Sequence, residues 1–279
     1  MPLTGHFGEK MDFLGIILSY FDAFDAVVNL GFGVLIGLCL GLTGVGGGVL
    51  IIPILQVFFA MDAVMAVGTA SLISFLVKIG ASFGHIKAGN IKWKEVGFVL
   101  LGAIPCVLMT TNLIIFLNQS ERYSSCVNHV IELAIVMMML VSLCSLYKQS
   151  KKGIVNVKSV SPRNYISVAI GGGCGAVLGS TGIGGGVVLL PAFNALLGVE
   201  IKKAIGSSVV VALVLSAVTA LNYSREGQSD LPVALYITFG ALTAMPVAMR
   251  YVKTITSVQL YRLTIGVISV ALAMVLLFR

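Results

Sequence analysis

Two glycine clusters carry residue types that can bind an anion within an otherwise apolar chain. GLTGVGGGVLIIP starts at Gly41, GSTGIGGGVVLLP starts at Gly179, and the offset between these matching segments is 138 residues. Each glycine costs a helix about 1 kcal/mol relative to alanine, so three in a row are expected to break it. The helix that restarts after the break presents free N–H groups and the positive end of its dipole, which together form an anion site.

The threonine that precedes each break can add a hydroxyl to such a site or cap the helix. We therefore predict that the two breaks bind substrate and meet near the membrane midplane. Close helix packing is the alternative, because small residues let membrane helices approach each other. Pro53 and Pro191, which close the two segments, are expected to kink their helices or to act as hinges. The predicted substrate-binding residues of the breaks are Thr43, Gly44, Gly46, Gly47, Gly48, Thr181, Gly182, Gly184, Gly185 and Gly186.

Lys78 completes the predicted substrate-binding set. It lies inside the apolar stretch LISFLVKIGASF, and an ionisable residue within a membrane segment is costly and often functional. Lys78 can attract an anion along its pathway. Alternatively, its long side chain can snorkel towards His85, roughly 10 Å further along a helix. The residue equivalent to Lys78 at the 138-residue offset is Ser216, so the charge is not repeated in the second half.

The composition indicates a polytopic membrane protein. Of the 279 residues, 58% are hydrophobic and 10% are charged, and the mean hydropathy is +1.03. A soluble domain has about 25% charged residues. The net charge of +7 fits cationic cytoplasmic loops and does not indicate nucleic acid as a partner. The five cysteines form no C-x-x-C pair and no His/Cys cluster, so neither a metal site nor a cofactor is predicted.

Internal repetition predicts an all-α fold of two inverted-topology repeats. At the offset of 138, Gly68 pairs with Gly206 and Gly89 with Gly227, after which the alignment loses its register while the hydropathy still matches. Each copy contains five apolar segments, and an odd number gives the copies opposite orientations in the membrane. These segments are 27–42, 44–61, 63–84, 96–118 and 129–147, then 165–180, 182–199, 204–222, 233–249 and 258–278.

The predicted domains follow from this repetition and from the distribution of charge. They are an N-terminal lead-in (1–26), a first repeat (27–147), a basic linker (148–164) and a second repeat (165–279). When the linker is cytoplasmic, the loops 85–95, 200–203 and 250–257 are also inside, and these four regions hold twelve of the eighteen cations. This agrees with the positive-inside rule. We expect a multi-pass protein of the cell inner (plasma) membrane with both termini outside.

The segments beside each glycine break are short. They have about 16–18 residues, or roughly 25 Å, which is less than the hydrocarbon core of about 30 Å. Each pair is therefore either two short spans or a re-entrant helical hairpin. The orientation predicted from charge is the same in both cases.

The glycine segments resemble those of the TauE/SafE family of sulfite and organosulfonate exporters, including 4-toluene sulfonate uptake permease-like transporters. HIKAGNIKW, from His85 to Trp93, is similar to a loop of that family, and YSREGQSD, from Tyr223 to Asp230, is its weaker second copy. The resemblance covers nearly the whole chain after about residue 27. It implies export or exchange of small sulfur-containing anions such as sulfite, sulfonates or thiosulfate.

These patterns predict a secondary transporter of a small anion, which works by alternating access around a midplane site. The substrate anion and the lipid bilayer are the expected partners, and a proton is the candidate coupling ion, with Glu132, Asp62 and His129 as candidate carriers. An anion channel and a non-transporting membrane scaffold or assembly factor are the alternatives. The sequence shows no nucleophile–base pair or phosphate loop, so no enzyme is predicted, and the oligomeric state stays open.

Overall fold

The structure, a computed structural model, describes residues 23–43, 48–152, 164–183, 188–252 and 257–277. The elements in these ranges are helical, so the predicted all-α fold is confirmed. In chain order they are α1 (Ala23–Thr43), α2 (Gly48–Phe58), α3 (Ala63–Lys87), α4 (Trp93–Asn118), α5 (Glu121–Lys152), α6 (Asn164–Thr181), a π-helical segment (Ala192–Leu196), α7 (Ile201–Arg225), α8 (Leu231–Val252) and α9 (Ser257–Leu277).

Helix lengths confirm a polytopic membrane protein. Within the described ranges, five helices are long and apolar enough to cross a membrane: α3, α4, α7, the part Glu121–Cys144 of α5 and the part Leu231–Ala248 of α8. The helices beside the first glycine cluster differ in length. Helix α1 has 21 residues, about 31 Å, whereas α2 has 11 residues, about 16 Å, so α2 reaches only half of a hydrocarbon core.

Helices α3 and α7 form the centre of the molecule. In their apolar windows 61% of the residues are buried, against 28% in α5 and 39% in α8. The two helices pack on each other, α4 packs on α7, and α8 packs on α3. The polar side chains of α3 and α7 are therefore held away from lipid.

The most extensive helix contacts join one half of the chain to the other. Helix α1 packs along α8, and α4 packs along α6. A Cβ on Gly33 would collide with the backbone of Ile237, and a Cβ on Gly171 would collide with the backbone of Val99. Glycine is required at both places because the backbones touch. The two contacts are equivalent, since each residue of the first pair lies 138 positions from one residue of the second.

The 138-residue offset continues past the point at which the sequence alignment loses its register. Gly240 faces the carbonyl group of Leu30, and Gly102 faces the equivalent carbonyl group of Val168. The predicted slip after Gly89 is therefore wrong. The register is maintained at the residues where backbones touch, whereas side chains that face lipid are free to differ.

The same equivalence extends to the turns and loops. The Ser207 hydroxyl accepts a hydrogen bond from the Lys92 N–H at 3.0 Å, and the Thr69 hydroxyl accepts one from the Asp230 N–H at 2.9 Å. Ala60 has φ of 49°, and its equivalent Gly198 has φ of 64°. Glycine adopts this left-handed conformation without strain, whereas alanine does not.

Helices α3 and α7 run antiparallel. Gly68, near the start of α3, faces Tyr223, near the end of α7, whereas Gly206, near the start of α7, faces Asn90, just beyond the end of α3. Equivalent helices must run in opposite directions if the repeats are inverted. The contact pattern therefore supports the predicted inversion.

Replacing Gly171 by alanine should destabilise the protein by about 1–3 kcal/mol, because the new methyl group collides with the Val99 carbonyl in α4. Thermal unfolding in detergent should show a decrease in melting temperature of several degrees. Gly173→Ala is the matched control on the same helix, since no atom lies within 4 Å of its Cβ position. Equal melting temperatures for the two variants would contradict the close contact of α4 with α6.

Candidate functional site

Lys78 lies in the interior of α3 and contacts its own equivalent residue in the other half. Its ammonium group donates to the hydroxyl of Ser74, one turn earlier in α3, and to the hydroxyl of Ser216 in α7 at 3.3 Å. Since 78 and 216 differ by 138, this contact joins two residues that occupy the same position in the repeated sequence.

The direction of the Lys78 side chain distinguishes between the two roles predicted for it. Snorkelling requires the ammonium group to extend towards His85, at the far end of α3. The ammonium group instead turns back towards Ser74 and across to Ser216. The side chain is partly buried, and its charge is held between the central helices.

Thr181 and Gly182 form the described part of the second glycine cluster. Thr181 is buried, and its hydroxyl donates to the Val177 carbonyl at 2.7 Å and accepts from the Ile183 N–H at 3.2 Å. Gly182 has φ of 63°, a conformation that ends α6 and favours glycine. Helix α6 therefore ends at Thr181, whose hydroxyl binds an N–H just beyond that end, and the substrate-binding role of this cluster stays a prediction.

The end of α6 packs against both central helices. A Cβ on Gly182 would lie 3.3 Å from the Ser71 hydroxyl of α3, and the Tyr223 hydroxyl of α7 donates to the Gly179 carbonyl at 3.1 Å. Ser71 precedes Lys78 by seven residues, or about 10 Å along the helix. The second glycine cluster and the lysine thus lie along one face of α3.

The remaining predicted site residues are only partly described. Thr43 ends α1 and Gly48 begins α2, but their side-chain surroundings lie outside the described residues, as do Gly44, Gly46, Gly47, Gly184, Gly185 and Gly186. Pro53 lies inside α2. Pro191 directly precedes the π-helical segment, and the Asn194 amide donates to the Val199 carbonyl beyond it at 3.0 Å. The helix is therefore irregular after Pro191, as a kink requires.

The candidate proton carriers lie away from Lys78 along the chain. Asp62 caps α3, since its carboxylate accepts from the Met65 N–H at 2.9 Å. His129 is exposed on α5, and its ring nitrogen lies 2.7 Å from the Ser125 carbonyl oxygen. Glu132 is a partly buried residue of the same helix.

Sequence reasoning did not identify the hydroxyl groups around Lys78. Ser74 and Ser216 bond to it, and Ser71 and Thr219 lie one turn away on the same helices. Their spacing is visible in the sequence, because residues separated by three, four or seven share one helix face. What the sequence did not provide was the pairing of α3 with α7.

A cation surrounded by hydroxyl groups can bind an anion. Among the described residues, the hydrogen bonds of the Lys78 ammonium group go to hydroxyls and not to a carboxylate. A charge within a membrane is costly and marks the pathway of a substrate or ion when it faces the protein interior. The apolar helices together with this central site define a multi-pass membrane transporter.

Comparison with known proteins identifies the family. The family model described as sulfite exporter TauE/SafE matches residues 29–276, and the chain belongs to this family. The prediction of a transporter that is not an enzyme is thereby confirmed. No solved structure matches the chain.

The curated relatives cover most of the chain. A probable membrane transporter protein of Haemophilus influenzae is 30% identical over 207 residues, which are 70% of this chain and 72% of the relative. One of Xylella fastidiosa is 26% identical over 257 residues, or 91% of this chain and 95% of the relative. The probable membrane transporter protein YjnA of Bacillus subtilis is 21% identical over 213 residues, with coverage of 75% and 84%.

Thr181→Val should lower the free energy of unfolding by about 1–3 kcal/mol, because the buried Ile183 N–H loses its acceptor. Thermal unfolding of the purified protein measures this effect. Ser180→Ala is the matched neighbour, since the Ser180 hydroxyl donates to the same Val177 carbonyl but accepts no such bond. If Ser180→Ala destabilises the protein as much as Thr181→Val does, the hydroxyl of Thr181 does not cap the break.

Proposed function

We propose that the protein is a secondary transporter that moves a small anion by alternating access around a site near the membrane midplane. The observation that carries this proposal is the bond between Lys78 and its own equivalent Ser216. If the repeats are inverted, the axis that relates them lies in the membrane plane, so a residue on that axis lies at the midplane. This is the depth at which inverted-repeat transporters hold their substrates.

The electrostatics of Lys78 support an anionic substrate. Hydroxyl groups solvate an ammonium group less well than water does, and a charge in the hydrocarbon region is costly. An anion that binds beside Lys78 neutralises this charge while it occupies the site, which lowers the cost of holding either charge at that depth. The free N–H groups expected at the glycine breaks add favourable partial charges without introducing a second full charge.

The proposal that the substrate contains sulfur rests on the family to which the chain belongs. The matching family is described as sulfite exporter, and we propose sulfite, an organosulfonate or thiosulfate as the substrate class. Each of these ions presents several oxygen atoms to hydroxyl and ammonium donors. The proposal of an organosulfonate substrate rests only on the family resemblance.

The proposed orientation in the membrane follows the basic residues. The linker 148–164 is cytoplasmic and both termini are outside, as the positive-inside rule favours. Alternating access then consists of movement about the contact between α3 and α7, in which α1 moves with α8 and α4 moves with α6 because the backbones of each pair touch. A proton is the candidate coupling ion for this movement.

Lys78→Gln should reduce the flux of sulfite or of a sulfonate into liposomes at least about tenfold, because the substrate loses its only membrane-embedded cationic partner among the described groups of α3 and α7. Lys202→Gln is the matched control, since Lys202 is exposed at the start of α7. Both variants must be reconstituted at equal protein content.

The outcomes separate the alternatives. Unchanged flux in Lys78→Gln would contradict the central role of Lys78. A flux that does not saturate and is not stimulated by substrate on the opposite side would indicate a channel. No flux of any tested anion by the unaltered protein would favour a scaffold or assembly factor.

A further inference from the structure

On the Ser74 side of Lys78, four hydroxyl groups belong to the faces of α3 and α7 that are turned towards each other. Ser71 and Ser74 precede Lys78 by seven and four residues, so all three lie on one face of α3. Ser216 and Thr219 are three residues apart and share a face of α7. The bonds from Lys78 to Ser74 and Ser216 show that these two faces are turned towards each other.

The antiparallel pairing brings Ser71 and Thr219 to the same level. Lys78 contacts Ser216, and ten residues earlier in α3 Gly68 faces Tyr223 of α7. Ser71 lies between the two contact points on α3, and Thr219 lies between them on α7. Their hydroxyl groups therefore occupy the same stretch of the interface, one helical turn from the two hydroxyl groups that bond to Lys78.

Within the part of the chain that the structure describes, both of these hydroxyl groups are buried without a hydrogen-bond partner. Ser71 is 1% exposed and Thr219 is 0% exposed, and within the described ranges the oxygen of neither makes a hydrogen bond. An unpaired buried hydroxyl group is unfavourable, so such a group in a native protein needs an explanation. A Cβ added to Gly182 would lie 3.3 Å from the Ser71 oxygen, which connects this stretch to the glycine break.

Helices α3, α6 and α7 contribute donors and a positive charge but no acid. The sequences of α3, α6 and α7 include no Asp or Glu. An oxyanion can accept hydrogen bonds from the two free hydroxyl groups while it pairs with Lys78. An ammonium group on the same ligand would meet the like charge of Lys78 and no carboxylate from these three helices.

We infer that Ser71 and Thr219, with Lys78 and its partners Ser74 and Ser216, bind the oxyanion group of the substrate, and that this site rejects ligands that also carry an ammonium group. The inference rests on the proposed transport function and adds to it the residues and the charge type of the substrate. It identifies Ser71 and Thr219 as specificity-determining residues, and it excludes amino-sulfonates from the substrates of this site.

Isethionate and taurine provide the matched pair of ligands, because both are two-carbon sulfonates and they differ by a hydroxyl group in place of an ammonium group. Binding to the purified full chain is measured by thermal stabilisation, and flux is measured in liposomes, with sulfite and thiosulfate in parallel. We expect isethionate, sulfite or thiosulfate to bind at least about tenfold more tightly than taurine.

The variants Thr219→Val and Ser71→Ala test the hydroxyl groups. Each should weaken binding of the preferred oxyanion about tenfold, which is the effect of losing one hydrogen bond to a charged group. Thr219→Ser keeps the hydroxyl group and should restore binding. Thr243→Val is the matched control, since Thr243 is exposed on α8 and its hydroxyl donates to the Gly240 carbonyl of its own helix at 2.8 Å.

The results distinguish failure of this inference from failure of the proposed function. If an oxyanion is transported but taurine binds as tightly as isethionate, the inferred charge selectivity is wrong. If an oxyanion is transported and both Thr219→Val and Ser71→Ala bind it normally, these hydroxyl groups hold water or nothing, and the site lies elsewhere. If no oxyanion is bound or transported, the proposed function itself fails and this inference fails with it.

Discussion

The antiparallel contact between α3 and α7 is the constraint on which the rest of the structure depends. It brings Lys78 against Ser216, the residue in the other half that occupies the same position in the repeat. Contacts between equivalent residues occur only on the axis that relates two repeats, so this pair locates the axis. The equivalent contacts of Gly68 with the Gln228 carbonyl and of Gly206 with the Asn90 carbonyl are arranged on both sides of it.

The exchange of helices between halves packs both halves closely around this centre. Helix α1 packs along α8 and α4 along α6, and each pair is held at backbone contact by glycines. In a membrane such close contacts replace the hydrophobic driving force, since lipid is as apolar as the helix surface. This close packing stabilises the fold and offsets the unfavourable free energy of placing a lysine in the interior. The hydroxyl groups of Ser74 and Ser216 offset part of that cost.

Much of the fold could be predicted from the sequence, because apolar segments and a repeated glycine motif are local signals. The 138-residue offset correctly identified Ser216 as the equivalent of Lys78, yet it could not show that the two side chains touch. Contact between equivalents depends on where the axis passes, which is a property of the three-dimensional packing. Ser71 and Thr219 could not be identified for a different reason. A serine or threonine in a membrane helix commonly bonds to its own backbone, so its presence in the sequence does not indicate a site. The lengths of α1 and α2 were not predictable either, since hydropathy extends across the glycines without indicating where each helix ends.

The most direct test of the account is the accessibility of position 216 in a variant that lacks the five native cysteines and carries Ser216→Cys. A membrane-impermeant sulfonate reagent, 2-sulfonatoethyl methanethiosulfonate, is applied to each face of the membrane in turn. If the α3–α7 contact is the substrate site of an alternating-access transporter, the thiol reacts from both faces, and a transported sulfonate slows the reaction. If the thiol is unreachable from either face while the same variant still transports, the substrate does not pass between α3 and α7.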